Sequence, residues 1–206
     1  MKVIGLTGSI GMGKSVAGAM LQRMGIPVFD SDACVREVSA PHGKAFATIA
    51  QTFPEAWDKN KCTIDRQKLG EIVFFDDQAR DKLEAILHPF VWHAQKEFLK
   101  AARQRKCEFA VLDIPLLFET GAQSRCDIVI VVSAPYLIQE QRVLARPNMD
   151  REKFQAILNR QMPQEEKNKL ADYVIQTGLG RAHTLRQLKA LIRNLQKKTD
   201  TELENA

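Results

Sequence analysis

Gly8-Ser9-Ile10-Gly11-Met12-Gly13-Lys14-Ser15 fits the pattern G-x-x-x-x-G-K-[ST]. That pattern holds phosphate only where a strand precedes it and a helix follows. Residues 3–7, "VIGLT", read as the strand, and residues 15–24 read as the helix, closed by Gly25. Glycines at 8, 11 and 13 let the backbone approach oxygen atoms that a Cβ would hold off. Successive N–H groups then converge at the positive end of the helix that follows. In such a cradle Lys14 reaches the β- and γ-phosphates of a nucleoside triphosphate, and the Ser15 hydroxyl ligates Mg2+. The bland alternative is a glycine-rich turn, and the flanking strand and helix argue against it.

Outward from this loop, four more short apolar runs read as strands: residues 27–30, 109–113, 128–133 and 173–176. They are rich in Val and Ile and alternate little, as strands of a parallel sheet covered on both faces do. Helical patterns separate them, at 33–38 and in several pieces to about 105, then at 136–146, and finally at 185–195. This alternation predicts an α/β fold with right-handed crossovers. Two intervals exceed a simple crossover. Residues 31–105 hold both tryptophans, and residues 137–172 are rich in charge. Insertions of this kind sit above the carboxyl edge of the sheet, where ligands bind. The first is expected to be a helical substrate-binding insertion and the second a lid. The core is then 1–30, 106–136 and 173–196, in one domain of 1–196, with a flexible tail at 197–206.

The chain has 206 residues, 45% apolar and 27% charged, with a net charge of +5. These values suit a single soluble domain with insertions. The mild basic excess favours polyanions, nucleotides among them. Aromatic residues are only 7% and no basic-aromatic run occurs, which argues against an RNA-binding surface. The four cysteines are scattered, with neither zinc nor redox spacing, as in a reducing compartment. The glycine loop begins too early to leave room for a signal peptide, and no apolar stretch is long enough to span a bilayer. A cytoplasmic protein without membrane or nucleic-acid partners is expected.

A phosphate loop alone leaves the reaction open. GTPase switches also need D-x-x-G and N-K-x-D; the first is absent, and Asn60-Lys61-Cys62-Thr63 lacks the carboxylate of the second. Small-molecule kinases fit the length. A kinase needs a group that orients or deprotonates the attacking hydroxyl. Asp32, in Asp30-Ser31-Asp32 at the end of the second predicted strand, is a candidate, and a helix N-cap is its alternative role. Asp113 ends "FAVLD" as a metal-holding carboxylate does, or merely as a polar strand terminus. Arg142 and Arg146, four apart on one predicted helix, share a face and form either a phosphate clamp or a solvated basic surface. Arg160 stands in the same charged interval. His88 lies in "AILHPFVWH", where Pro89 favours a new helix start.

Several blocks together resemble the dephospho-coenzyme A kinase family, from Met1 to about Gly180. "IGLTGSIGMGKS" resembles its phosphate loop, and "PVFDSDACVREV" its strand with paired aspartates and a following Arg. "LEAILHPFV" is similar to its His-Pro block. "QEQRVLAR" and "NRQMPQEEK" resemble its lid, and "ADYVIQTG" its adenine-side strand. "VLDIPLLFE" and "RQMPQEEK" are the least widely shared and carry the resemblance.

The resemblance implies a three-layer P-loop NTPase fold with a five-stranded parallel sheet, a helical acceptor-binding insertion and a lid. It implies phosphoryl transfer from ATP, with Mg2+, to the ribose 3′-hydroxyl of dephospho-coenzyme A. By the same resemblance Asp32, Lys14, Arg142 and Arg146 are catalytic. ATP contacts fall on Gly8, Gly11, Met12, Gly13, Lys14, Ser15, Val16, Arg142, Arg146, Gln176 and Gly178. Acceptor contacts fall on Asp32, Arg36, His88, Leu116, Phe118 and Glu119, and metal contacts on Ser15 and Asp113. One departure stands out. "VIQTGLG" replaces the family's usual VIDN-x-G, so Gln176 and Thr177 alter the expected adenine contact. A kinase for another nucleotide or nucleoside is the alternative, with a nucleotide-gated RNA-binding protein behind it.

Overall fold

The computed structural model describes residues 1–58 and 61–204, with side chains described to residue 197. It forms two compact units, one of residues 1–29 and 106–206, the other of residues 30–105.

In the first unit, β1 (Lys2–Thr7) runs into the glycine loop and α1 (Lys14–Arg23), and β2 (Val28–Asp30) follows. The sheet has the order β2-β5-β1-β6-β7, where β5 is Phe109–Asp113, β6 is Ile128–Ser133 and β7 is Tyr173–Gln176. β1 pairs in parallel with both β5 and β6, setting Ile4 between Val111 and Ile128. Every residue of β5 and β6 is buried, which is why their sequences are continuous apolar runs rather than alternating ones. α1 and the C-terminal helix close over Ile4, Leu6, Val111, Ile130 and Val132, with Leu21, Leu188 and Leu191 in the same cluster.

Two aspartates fix the register of adjacent strands. Asp127, just before β6, accepts from Val3 N at 2.6 Å, and Asp172, just before β7, accepts from Val129 N at 2.7 Å. Each carboxylate satisfies a strand-end amide that would otherwise lack a ladder partner.

Within the second unit, α2 (Ser31–Val38), α3 (Phe46–Thr52), the hairpin β3 (Trp57–Asp58) and β4 (Thr63–Ile64), α4 (Arg66–Phe75) and α5 (Asp77–Gln104) follow in order. Ile49, Phe53, Leu69, Ala79 and Leu87 form its core. Asp65 and Asp76 cap α4 and α5 through their side chains. The sequence pattern does not reveal the hairpin, because two-residue strands show no alternation. Pro89 does not start a helix: α5 runs through it without a break. Proline in a helix interior costs about 3 kcal/mol. The buried face Ala79, Leu87, Val91, Gln95 continues at helical spacing on both sides of Pro89 and outweighs that cost.

Back in the first unit lie α6 (Tyr136–Leu144), α7 (Arg151–Arg160), α8 (Gln164–Leu170) and α9 (Arg181–Glu204). α6 stops at Leu144, two residues earlier than its pattern predicts, so Arg146 lies beyond the helix. Pro147 disfavours helical geometry at the residue before it. Arg142 and Arg146 therefore do not share a helix face. α9 continues into the segment expected as a tail; residues 205 and 206 lie outside the described residues. No helix among the described residues is long and apolar enough to cross a membrane.

Cys126 packs beneath β1, where a Cβ on Gly5 would stand 2.8 Å from its Sγ. Burial pushes this thiol from 9.0 up to about 11, with Arg125 opposing the rise and Asp127 adding to it. A thiol held neutral in the fold contributes stability below its unfolded value, and that contribution is lost as pH rises through the folded one. Iodoacetamide at about pH 8 is therefore expected to alkylate exposed Cys62 well before Cys126. Equal labelling rates, read by peptide mass mapping, would contradict this packing.

Candidate active site

The residues of the glycine loop are held by an unusual number of side chains. The Thr177 hydroxyl donates to Met12 O at 2.7 Å. Gln139 Nε2 donates to Ile10 O at 2.7 Å, and Arg142 donates to Gly11 O at 3.3 Å. Gln164 Oε1 accepts from Ser9 N at 3.1 Å, and Gln161 Oε1 accepts from Ile10 N at 3.0 Å. Met12 is buried, with its Sδ 3.1 Å from Ala134 N. Ser9 is buried as well, and its hydroxyl finds no partner among the described residues.

This bracing accounts for the first half of the loop and leaves the second half open. The amides of Gly11, Gly13, Lys14 and Ser15 have no partner among the described residues. Gly13, the N-cap of α1, has a φ of 88°, which turns the chain into the helix and sets the Lys14 and Ser15 amides at its positive end. The result is a set of donors for an anion, at the place where the central strand of the sheet ends. The glycines are also sterically required. A Cβ on Gly11, at a φ of 77°, would stand 2.7 Å from Val143 Cγ2 and 3.0 Å from Gln139 O. Gly11→Ala is expected to cost about 1–3 kcal/mol of stability and to weaken nucleotide binding, read by thermal unfolding and titration calorimetry. An unchanged melting temperature would show that α6 yields freely at this contact.

Lys14 Nζ lies 2.5 Å from Asp113 Oδ1, and both groups are largely buried. Asp113 ends β5, and its second oxygen lies against Gly18, where an added Cβ would approach Oδ2 to 3.4 Å. Gly18 and Ser15 are three apart on α1 and share a face, so the helix turns its one side-chain-free position toward the carboxylate. Sequence reasoning missed Gly18. A small residue in a helix is not distinctive until the strand carboxylate beside it is seen. Ser15 and Val16 are exposed at the start of α1.

Arg142 donates to Thr177 Oγ1 at 3.0 Å and to Thr177 O at 2.8 Å, besides its bond to the loop. The departure at Thr177 thus has a structural use: its hydroxyl ties the turn after β7 to the glycine loop. Gln176 bonds through its backbone to Gln187, and Gly178 packs on Pro135. Arg146 is exposed, and its side chain has no partner among the described residues.

The turn after β5 carries Leu116, half-buried, and Phe118, buried. Glu119 Oε1 accepts from Met162 N at 2.9 Å and lies 2.7 Å from the ammonium of fully buried Lys167. These contacts join "DIPLLFE" to "RQMPQEEK".

The remaining candidates stand in the second unit. Asp30, not Asp32, caps α2, its carboxylate accepting from Ala33 N at 2.9 Å. The capping alternative for Asp32 is thereby removed. Its carboxylate is exposed in the first helical turn and has no partner among the described residues. Arg36 is exposed, 3.7 Å from Asp30. His88 stacks on Trp92, with ring centroids 5.6 Å apart.

A glycine loop leading from the central strand of a parallel sheet into a helix that presents free amides and a lysine defines a phosphate-loop nucleotide-binding protein. A sequence model of dephospho-CoA kinase matches residues 2–181. Dephospho-CoA kinase from Paramagnetospirillum magneticum is 52% identical over 167 residues, 81% of this chain and 78% of the relative. Its counterpart from Novosphingobium aromaticivorans is 47% identical over 196 residues, 95% of this chain and 96% of the relative. The solved structure of dephospho-CoA kinase from Campylobacter jejuni superposes with a TM-score of 0.70 at 26% identity, covering 96% of this chain and 98% of that one. The chain belongs to the dephospho-CoA kinase family.

Proposed function

We propose that this protein transfers the γ-phosphoryl group of ATP to the ribose 3′-hydroxyl of dephospho-CoA, giving CoA and ADP, the last step of CoA synthesis. The observation that carries this reading is the set of unpaired amides at Gly11, Gly13, Lys14 and Ser15 beside the Lys14 ammonium. Four unpartnered donors and a cation at the start of a helix suit an anionic phosphate group.

Lys14 exchanges Asp113 for the β- and γ-oxygens when the triphosphate enters, a movement of its flexible stem alone. The ammonium then stabilises charge as it develops on the transferring group. The Asp113 carboxylate and the Ser15 hydroxyl are hard oxygen donors that would hold Mg2+, and the ion would supply positive charge to offset that of the triphosphate. Arg142 acts through the loop that it braces, whereas Arg146 is the arginine left to meet the phosphates.

In the unit of residues 30–105 the residues assigned to the acceptor are Asp32, Arg36 and His88; in the other unit they are Leu116, Phe118 and Glu119. Asp32 takes, or aligns, the proton of the attacking hydroxyl. Residues 137–172 cover the triphosphate and keep water from competing with the acceptor. The test is mass spectrometry of dephospho-CoA incubated with enzyme, ATP and Mg2+, beside a panel of other nucleotides and nucleosides. A gain of one phosphate on dephospho-CoA alone is expected. Preferential phosphorylation of another acceptor would overturn the assignment.

A further inference from the structure

Two side chains outside the phosphate-contacting half of the loop determine where that half sits. Gln161 follows α7 and Gln164 opens α8, and their carboxamide oxygens take the amides of Ile10 and Ser9. Gln164 also donates to Val132 O at 3.1 Å and to Asn168 Oδ1 at 2.9 Å, which fixes its amide orientation. The segment that carries the two glutamines is itself held to Glu119, by the hydrogen bond from Met162 N between them and by the ion pair of Lys167 just beyond. Lys167 is 0% exposed and Glu119 gives it its ion pair, so the segment cannot shift without breaking a buried contact. An anchored bracket therefore grips the amides of Ser9 and Ile10, and those of Gly11, Gly13, Lys14 and Ser15 are left for phosphate.

We infer that Gln161 and Gln164 are positioning residues for the ATP site: they hold the first half of the loop so that Gly11, Gly13, Lys14 and Ser15 present their amides together. This inference rests on the reading of the loop as an ATP site. The two glutamines act through the amides of Ser9 and Ile10. Losing one acceptor leaves a part-buried amide unpaired and lets the loop sample positions in which the free amides diverge. Preorganisation is lost, and binding weakens without loss of the chemistry.

The experiment measures steady-state kinetics, ATP binding by calorimetry and thermal unfolding for Gln161→Met, Gln164→Met and Gln161→Glu. Methionine keeps length and removes the acceptor. Glutamate keeps an acceptor for Ile10 N, and high salt screens the charge that it adds. Each methionine variant is expected to bind ATP about tenfold more weakly, with a matching rise in KM for ATP. The KM for dephospho-CoA should hold, the melting temperature should fall only by the little that a lost hydrogen bond brings, and Gln161→Glu at high salt should recover ATP affinity. Unchanged ATP affinity in both methionine variants would overturn the inference. So would a parallel rise in both KM values with a fall in melting temperature, which marks a purely structural role. Failure of Gln161→Glu to recover affinity would overturn it for Gln161. The parent enzyme in the same assay keeps the two readings apart: a parent that binds ATP but leaves dephospho-CoA unphosphorylated refutes the assigned acceptor, and the calorimetric comparison of variants still decides the role of the glutamines.

Discussion

Lys14→Ala is expected to lower kcat by about 10²–10³-fold, while ATP affinity falls much less. The ammonium sits at the head of α1, among four amides without partners, and is the one side-chain cation that the loop itself carries. Backbone amides continue to hold the triphosphate in the variant, so binding survives. The charge that develops on the transferring oxygens then lacks its nearest fixed cation. In the parent, Lys14 is stored against Asp113 rather than in solvent, which limits the reorganisation needed when the nucleotide arrives. A loss of less than about tenfold would contradict the placement of Lys14 on the transferring group.

Asp32→Ala is expected to leave ATP binding intact and to remove most transfer, about 10²–10⁴-fold in kcat. Asp30 caps α2, so removing the Asp32 carboxylate does not take away the helix cap, and the variant should fold. Asp32→Asn separates the two forms of the proposal. An amide still accepts a hydrogen bond but is a far weaker base. Asn retaining much more activity than Ala means that the side chain aligns the hydroxyl. Equal losses mean that it takes the proton. Full turnover by Asp32→Ala would remove the residue from the mechanism.

The sheet was legible in the sequence because its strands are buried on both faces. Phe109–Asp113 and Ile128–Ser133 carry no polar alternation to confuse, and the structure begins and ends these strands where the apolar runs do. The glycine loop was legible because its demands are local: three glycines, a lysine and a serine within eight residues, between a strand and a helix. The bracing of that loop was not. Thr177, Gln161 and Gln164 reach it across 165, 151 and 155 residues of chain, so no local pattern marks them. Polar uncharged side chains in a charged helical interval read as solvated until the fold brings them to a backbone amide. Pro89 misled for the opposite reason. Its local preference is real, but the apolar stripe of α5 runs through it, and tertiary burial outweighs one lost hydrogen bond. The caps of α2 show a finer limit. Asp30-Ser31-Asp32 offers three capping residues in a row, and only the backbone extension at Asp30, with a φ of −90° and a ψ of 106°, selects it.

The most direct measurement is a crystal structure with magnesium and a non-hydrolysable ATP analogue. The expected result is a phosphate group within hydrogen-bond distance of the amides of Gly11, Gly13, Lys14 and Ser15, with the Lys14 ammonium moved from Asp113 onto phosphate oxygens. A triphosphate bound elsewhere, with those amides still unengaged, would contradict the assignment of this loop.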